Sequence, residues 1–422
     1  MMRSLAPFTS RDFRRLWLGN WLAALSIPPI ATALVVEITK LARDAGPSVF
    51  RQRGAAVLVT GVFAGAMADR LPRRSVLLGC LTACAILCGA LGVSSAVFGG
   101  ESLVFLIAAS VAVAVVSGLF HCARESLAAE LVPLESRPAA VAWSVAPAIA
   151  VQPLTPFVVA LSYGSTALTF LILGTFAILA ATVFSRLPML SAGAQGPWVH
   201  EIAAGLRHMT RRRRLRISTG FGIPLWFVAC VSFSLILRFA EFEPEFNRHH
   251  HPNAFAMQMG GILVSSAMGA LGSAWLMTAC RPVRLAVASG VTLAVGLVAL
   301  SRAEQELSSA GAVFVVGLGC AGLTSSILAL LVEASEPEYF GRLLSLPVLA
   351  YAAVTLLQDP LWELLSSKAV VPALIGLGVL VLVLAAGLGF ALQSAGDDVP
   401  APPTARRPDD PYAPVGRHES AD

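Results

Sequence analysis

Apolar runs of membrane-spanning length alternate with short polar knots along nearly the whole chain. A helix that crosses a bilayer needs about 20 mostly apolar residues. The pattern predicts such helices over Leu16–Val36, Ser48–Ala68, Ser75–Val97, Leu103–Leu127, Ala139–Leu161 and Thr166–Leu187. A second set follows over Ile217–Leu237, Ala254–Met277, Leu285–Leu300, Ala310–Leu331, Arg342–Leu365 and Ala369–Leu392. Between the sets, Pro188 to Arg216 is long, mixed and basic. It holds His200 to Arg207 and then Arg211, Arg212, Arg213 and Arg214. The expected fold is an all-α membrane protein of twelve helices in two pseudosymmetric six-helix bundles, residues 1–190 and 216–394. Residues 191–215 form a basic linker with a short amphipathic helix, and 395–422 form a Pro- and Asp-rich disordered tail.

Composition supports this and removes other classes. Of 422 residues, 56% are hydrophobic and only 13% charged, with mean hydropathy +0.75. A soluble domain carries about 25% charge. The net charge of +5 is explained by basic residues gathering in cytoplasmic loops, not by nucleic acid. With both termini inside the cell, the basic loops fall on the cytoplasmic face and the linker arginines lie against anionic lipid. The basic start, 1–15, leads into a run of spanning length without a small-residue cleavage site, so the first helix is expected to stay as an anchor. Cys80, Cys84 and Cys88 share one helix face, a packing pattern without CxxC spacing, so no metal and no cofactor is expected. His249-His250-His251 lie in a solvated loop, where adjacent histidines alone make a poor metal site. No phosphate-binding Gly-x-x-x-x-Gly-Lys loop occurs, which removes direct ATP drive.

The knots carry the candidate chemistry. Gly65-Ala66-Met67-Ala68-Asp69-Arg70-Leu71-Pro72-Arg73-Arg74 joins the second and third spans as a tight basic turn. Pro28 and Pro29 sit inside the first span, where missing donors bend a helix for packing or to line a cavity. Arg51 and Arg53 lie in the first turns of the second span; they either snorkel to headgroups or face an anionic substrate. His121 is near the inner end of the fourth span, as hydrogen-bonded packing or a proton relay. Asp359 is flanked by Gln358 and Pro360, 17 residues after Arg342, or roughly 25 Å along a helix at 1.5 Å per residue. It is the main acid for proton coupling, because desolvation lifts an embedded carboxyl toward the working range. Gln152 and Gln258 add sparse polar groups to an otherwise apolar cavity, with Pro28, Arg51 and Gln358 as further candidate lining.

The stretch Gly65 to Leu77 resembles the signature loop of the major facilitator superfamily, with Pro72 where Gly is usual. Phe13 to Gly19, Glu201 to Arg216 and Gly341 to Leu346 resemble one bacterial branch, the macrolide and siderophore exporters. The resemblance implies alternating access and a latch. Asp69 would dock on the helix starting at Gly341-Arg342, while Arg70 or Arg73, in a latch that also counts Arg74, would face an acid closing the fourth helix. Glu125 is the first candidate for that acid and Glu130 the second. The fifth span has Val151-Gln152-Pro153-Leu154-Thr155-Pro156 in place of the glycine-rich antiporter pattern, and the second-half copy of the loop is reduced to Arg281 and Arg284. The implied function is proton-coupled efflux of an amphipathic small molecule from a plasma membrane. Nutrient or sugar uptake and a non-transporting sensor are the alternatives. The implied partners are substrate, protons and lipid, with no nucleic acid and no enzymatic activity.

Overall fold

The computed structural model describes residues 2–42, 46–98, 102–151, 154–189, 198–242, 253–277, 279–303, 306–336, 339–364 and 370–395. Among them the chain is helical almost throughout. The helices are α1 (Arg11–Ala24), α2 (Ile27–Leu41), α3 (Gly46–Arg70), α4 (Arg73–Phe98) and α5 (Leu103–Glu130). Then come α6 (Arg137–Val151), α7 (Thr155–Gly164), α8 (Thr166–Phe184), α9 (Trp198–Arg211) and α10 (Arg213–Phe242). The last are α11 (Asn253–Leu276), α12 (Pro282–Ser301), α13 (Glu306–Glu333), α14 (Phe340–Leu364) and α15 (Val370–Ser394). Helices α1 and α2 together make the first span, α6 and α7 the fifth. Helix α9 belongs to the linker, and each remaining helix is one span. Among the described residues, nine segments are both long and apolar enough to cross a bilayer by themselves.

Helices prevail because a bilayer offers the backbone no hydrogen-bonding solvent, so each N–H must be satisfied within its own segment. Breaks occur where side chains can repair them. The first span breaks at Leu25 and Ser26, ahead of Pro28 and Pro29 rather than at them. Both prolines open α2, where the first N–H groups have no intrahelical acceptor anyway. Ser26 Oγ donates to Leu173 O at 3.0 Å, pinning the break to α8. At the end of α2, Lys40 bonds Glu37 and the Ser162 carbonyl, each at 2.7 Å, and Glu37 accepts from Thr166 at 2.9 Å. Glu37 is thereby fixed as a structural acid on the α7–α8 turn.

Two separate apolar cores lie on either side of α9. One runs from Phe13 to Leu187, the other from Leu215 to Leu392. The triple Cys80, Cys84 and Cys88 is buried in the first. The cores meet through small clusters. Ala129, Val141 and Val145 touch Leu328, Val332, Phe340 and Leu344. Ala139 and Ala142 touch Ala274, Met277, Leu285 and Ala329, and Ala146 touches Ala270 and Ala321. This seam is rich in alanine, which lets helices approach closely without deep interlocking. Most of these residues sit toward the ends of α5, α11 and α13 or the starts of α6, α12 and α14. This seam lies toward the end of the molecule that carries the linker, while the contact of α3 with α14 continues along both helices, from Gly65 against Gly341 to Gly54 against Thr355.

Outward-facing positions remain apolar, with Phe390 76% and Ile86 68% exposed, as lipid-facing residues should be. Phe184, by contrast, is fully buried, with its ring under Gly19 and edge-on to Phe120 at 6.0 Å. Phe184→Ala should cost about 3–5 kcal/mol, the range for emptying a buried aromatic site. It should lower the thermal unfolding midpoint of the purified protein, whereas Phe390→Ala should leave it within about 2 °C, as an exposed substitution does.

Candidate conformational latch

Helix α3 ends at Arg70, and its last turn lies against the first turn of α14. Two glycines permit this. A side-chain carbon on Gly65 would stand 2.7 Å from Gly341 O and 2.8 Å from Arg342 Cα. One on Gly341 would stand 2.5 Å from both Gly65 O and Asp69 Oδ1. The contact is backbone against backbone, so neither position has room for a methyl group.

Asp69 is held there with its side chain only 2% exposed. Its Oδ1 accepts the Gly341 N–H at 2.9 Å, and its Oδ2 lies 3.2 Å from Arg342 Nε. Gly341 is the second residue of α14, so the carboxylate meets an N–H that has no acceptor inside the helix, at the positive end of the helix dipole. Arg73 Nη2 lies 3.6 Å from the same carboxylate, and Arg73 Nη1 pairs with Glu130 at the end of α5. The cluster holds two carboxylates, Asp69 and Glu130, and two guanidiniums, Arg73 and Arg342. Their formal charges cancel, which is what allows the group to sit in a desolvated seam. A further cation of the first half lies close by: the Arg137 guanidinium is 5.6 Å from the centre of the Phe340 ring, at the start of α14.

Several predicted residues are placed differently. Glu125, first choice as the acid facing Arg70 or Arg73, is paired with its neighbour Arg124 at 2.9 Å, and both are buried. The partner of Arg73 is Glu130, just over one turn nearer the helix end, where the short α3–α4 turn brings it within reach. Arg74 does not cross the seam; its Nη1 donates to Leu187 O at 2.8 Å, tying α4 to the end of α8 in the same half. Arg70 is half-buried on the final residue of α3. His121 is half-buried on α5, one turn before Glu125, with its ring 6.4 Å from that of Phe120. Pro28 is half-buried at the start of α2, and Arg51 is exposed on α3. Gln152, the His249–His251 run and the tail from 396 onward lie outside the described residues. Gln258, Gln358 and Asp359 fall on helices whose backbone is described, at positions whose side chains are not.

The linker helix supplies what the sequence pattern did not reveal. The His208 and Tyr339 rings are stacked, 4.2 Å apart and 10° from parallel, and Arg342 lies 5.2 Å from the centre of the same Tyr339 ring. Gly205 of α9 faces the Arg342 stem. Arg212 pairs with Glu336, and Arg214 with Glu333 at 2.9 Å. Two of the four linker arginines are thus held by carboxylates of the second half, while Arg211 and Arg213 remain exposed. No sequence signal links positions 208 and 339; only the fold stacks them.

These features describe a two-bundle membrane carrier rather than an enzyme. The sequence matches the Major Facilitator Superfamily model over residues 17–358, and the chain belongs to that family of membrane transporters. No curated relative matches its sequence. Among solved structures it is similar to the E. coli fucose:proton symporter FucP, with TM-score 0.71 and 14% identity, covering 90% of this chain and 98% of that one. It is also similar to the human organic anion transporter MFSD10, with TM-score 0.69 and 16% identity, covering 88% and 99%. A bacterial homologue of the iron transporter ferroportin, in an outward-facing state, gives TM-score 0.68 at 16% identity, covering 91% and 100%. At such identities the likeness is one of fold.

The geometry can be probed at the glycine contact and at the stacked rings. Gly341→Ala forces α3 and α14 apart, so spin labels placed on the two helix ends should show a longer and broader distance distribution than in the parent. His208 is held below its ordinary value, first by burial and then by Arg212, with Glu336 opposing. The neutral, stacked form is therefore fully favoured above the ordinary histidine value of about 6.5 and is lost as pH falls through the lowered one. Tryptic cleavage of the purified protein at Arg211 and Arg213 should speed up several-fold between pH 8 and pH 5, relative to a His208→Phe variant at each pH.

Proposed function

We propose that this transporter exports an amphipathic small molecule across the plasma membrane by alternating access coupled to protons. The linker end is the cytoplasmic end, and the conformation described is the one closed on that side. The observation that carries the reading is Asp69 of one half accepting the Gly341 N–H of the other. A charged group buried in an alanine-rich seam has a purpose if the seam opens and closes.

The physics suits a reversible catch. A hydrogen bond to a charged group contributes about 1.5–3 kcal/mol, and the helix dipole adds about 0.3–1 kcal/mol. A few kcal/mol bias a two-state equilibrium strongly without locking it. When the halves part, Asp69 loses the α14 N–H and Arg342 but keeps Arg73 from its own side. Glu130 holds Arg73 in place meanwhile. Coupling is assigned to the embedded acid Asp359, with His121 as a second relay group. Arg211 and Arg213 are assigned to anionic lipid. The sequence offers the spans few polar groups, which favours an amphipathic substrate over a sugar.

Inside-out vesicles containing the protein should accumulate substrate when a pH gradient is imposed, and an uncoupler should abolish the accumulation. Asp69→Asn should cut the initial rate at least about tenfold while insertion and yield stay normal, a loss of roughly 1.4 kcal/mol or more in the rate-limiting step. Unchanged flux in that variant would sink the latch; accumulation only in right-side-out vesicles would mean uptake.

A further inference from the structure

The latch and linker give no role to Arg53. Arg53 lies on α3, 16 residues before Asp69, or about 24 Å along the axis at 1.5 Å per residue. Counted from the latch, that is within the roughly 30 Å depth of a hydrocarbon core. Its neighbour Gly54 is pressed on Ala352, Thr355 and Leu356 of α14. One turn along, Val57 packs with Ala114 of α5 and Ala352 of α14. The face of α3 that carries Arg53 and Val57 therefore lies between α5 and α14, where the halves adjoin.

Tyr351 directly precedes Ala352 of α14, the residue packed on Val57 one turn from Arg53, and it lies within electrostatic range of Arg53 and of Cys230 of α10. Tyr351 is 54% exposed although it lies well inside a spanning helix. The α3 turn that carries Arg53 and the α14 turn that carries Tyr351 thus adjoin across the two halves. Among the described residues Arg53 has no hydrogen bond and no ion pair. In the latch and linker, by contrast, Arg73, Arg212, Arg214 and Arg342 each have a carboxylate. A guanidinium keeps its charge in a protein and is costly to hold without an anion at membrane depth. Its planar fork matches a carboxylate, and a tyrosine hydroxyl can donate beside it. One turn along, the contacts that Val57 makes with Ala114, Val348 and Ala352 are apolar.

We infer that Arg53 and Tyr351 form an anion-binding subsite of the transport pathway, which takes the carboxylate of an amphipathic organic acid. The inference rests on the carrier reading above and narrows its substrate class. The test uses the purified full chain and three matched probes: naphthylacetate, naphthylethanol and naphthylethylamine. Affinities come from ligand-induced thermal stabilisation, which grows with ligand concentration over Kd. The acid should bind at least about tenfold more tightly than the alcohol, the scale of one charged hydrogen bond, and the amine no better than the alcohol. Arg53→Gln should erase the acid preference and leave alcohol binding unchanged; Arg53→Lys should keep part of it. If Arg53→Gln does not fold, Tyr351→Phe, which removes only a hydroxyl, must lower the acid preference.

Equal binding of acid and alcohol, including no binding of either, overturns the inference, as does a preference that survives Arg53→Gln. So does an acid preference that emerges only in Asp359→Asn, because Arg53 would then be the counter-ion of Asp359. Vesicle transport reads the carrier function separately: proton-driven flux without acid preference would remove the subsite alone, and acid binding without flux would remove proton-driven export alone.

Discussion

The organisation of the molecule depends on one constraint: a carboxylate buried between two bundles must be matched by groups from both. Asp69 meets it with a backbone N–H and a guanidinium from the second half and a guanidinium from its own. The match requires the last turn of α3 to touch the first turn of α14, and that requires Gly65 and Gly341. The short turn before α4 then fixes where Arg73 stands, and the length of α5 fixes where Glu130 ends. Charge, backbone contact and helix length are one geometric condition.

Around that point the apolar contact between the halves mixes alanines with larger residues such as Val141, Leu328 and Phe340. The directional contacts described between the halves lie at the linker end, where Asp69 and Arg137 both meet the first residues of α14. The core of the first half is built on large rings. Large side chains such as Phe13, Phe170 and Phe184 are fully buried in the first core, which lets a bundle move as a unit.

The linker is part of this arrangement rather than a passive tether. Through His208 it stacks on Tyr339, and through Arg212 and Arg214 it is pinned to the acids that precede the start of α14. Arg342 stands between Tyr339 and Asp69, so the linker and the proposed latch share a residue.

Hydropathy alone determined the spans, the two sets of six and the basic linker, because a bilayer admits only helices of a given length and apolarity. The family resemblance carried by Gly65 to Leu77 also paired Asp69 with the start of α14. Tertiary structure decided the other partners. Glu125 and Glu130 are both acids near the end of α5, and sequence cannot tell which one faces Arg73; the rotation of α5 turns Glu125 toward Arg124 and leaves Glu130 for the seam. Arg74 stands beside Arg73 in the chain, yet successive helix positions point about 100° apart, so it reaches the end of α8 instead. The stack of His208 on Tyr339 and the pairing of Arg212 with Glu336 join distant positions. Contacts of that kind arise from how whole helices pack, and no local pattern of residues encodes them.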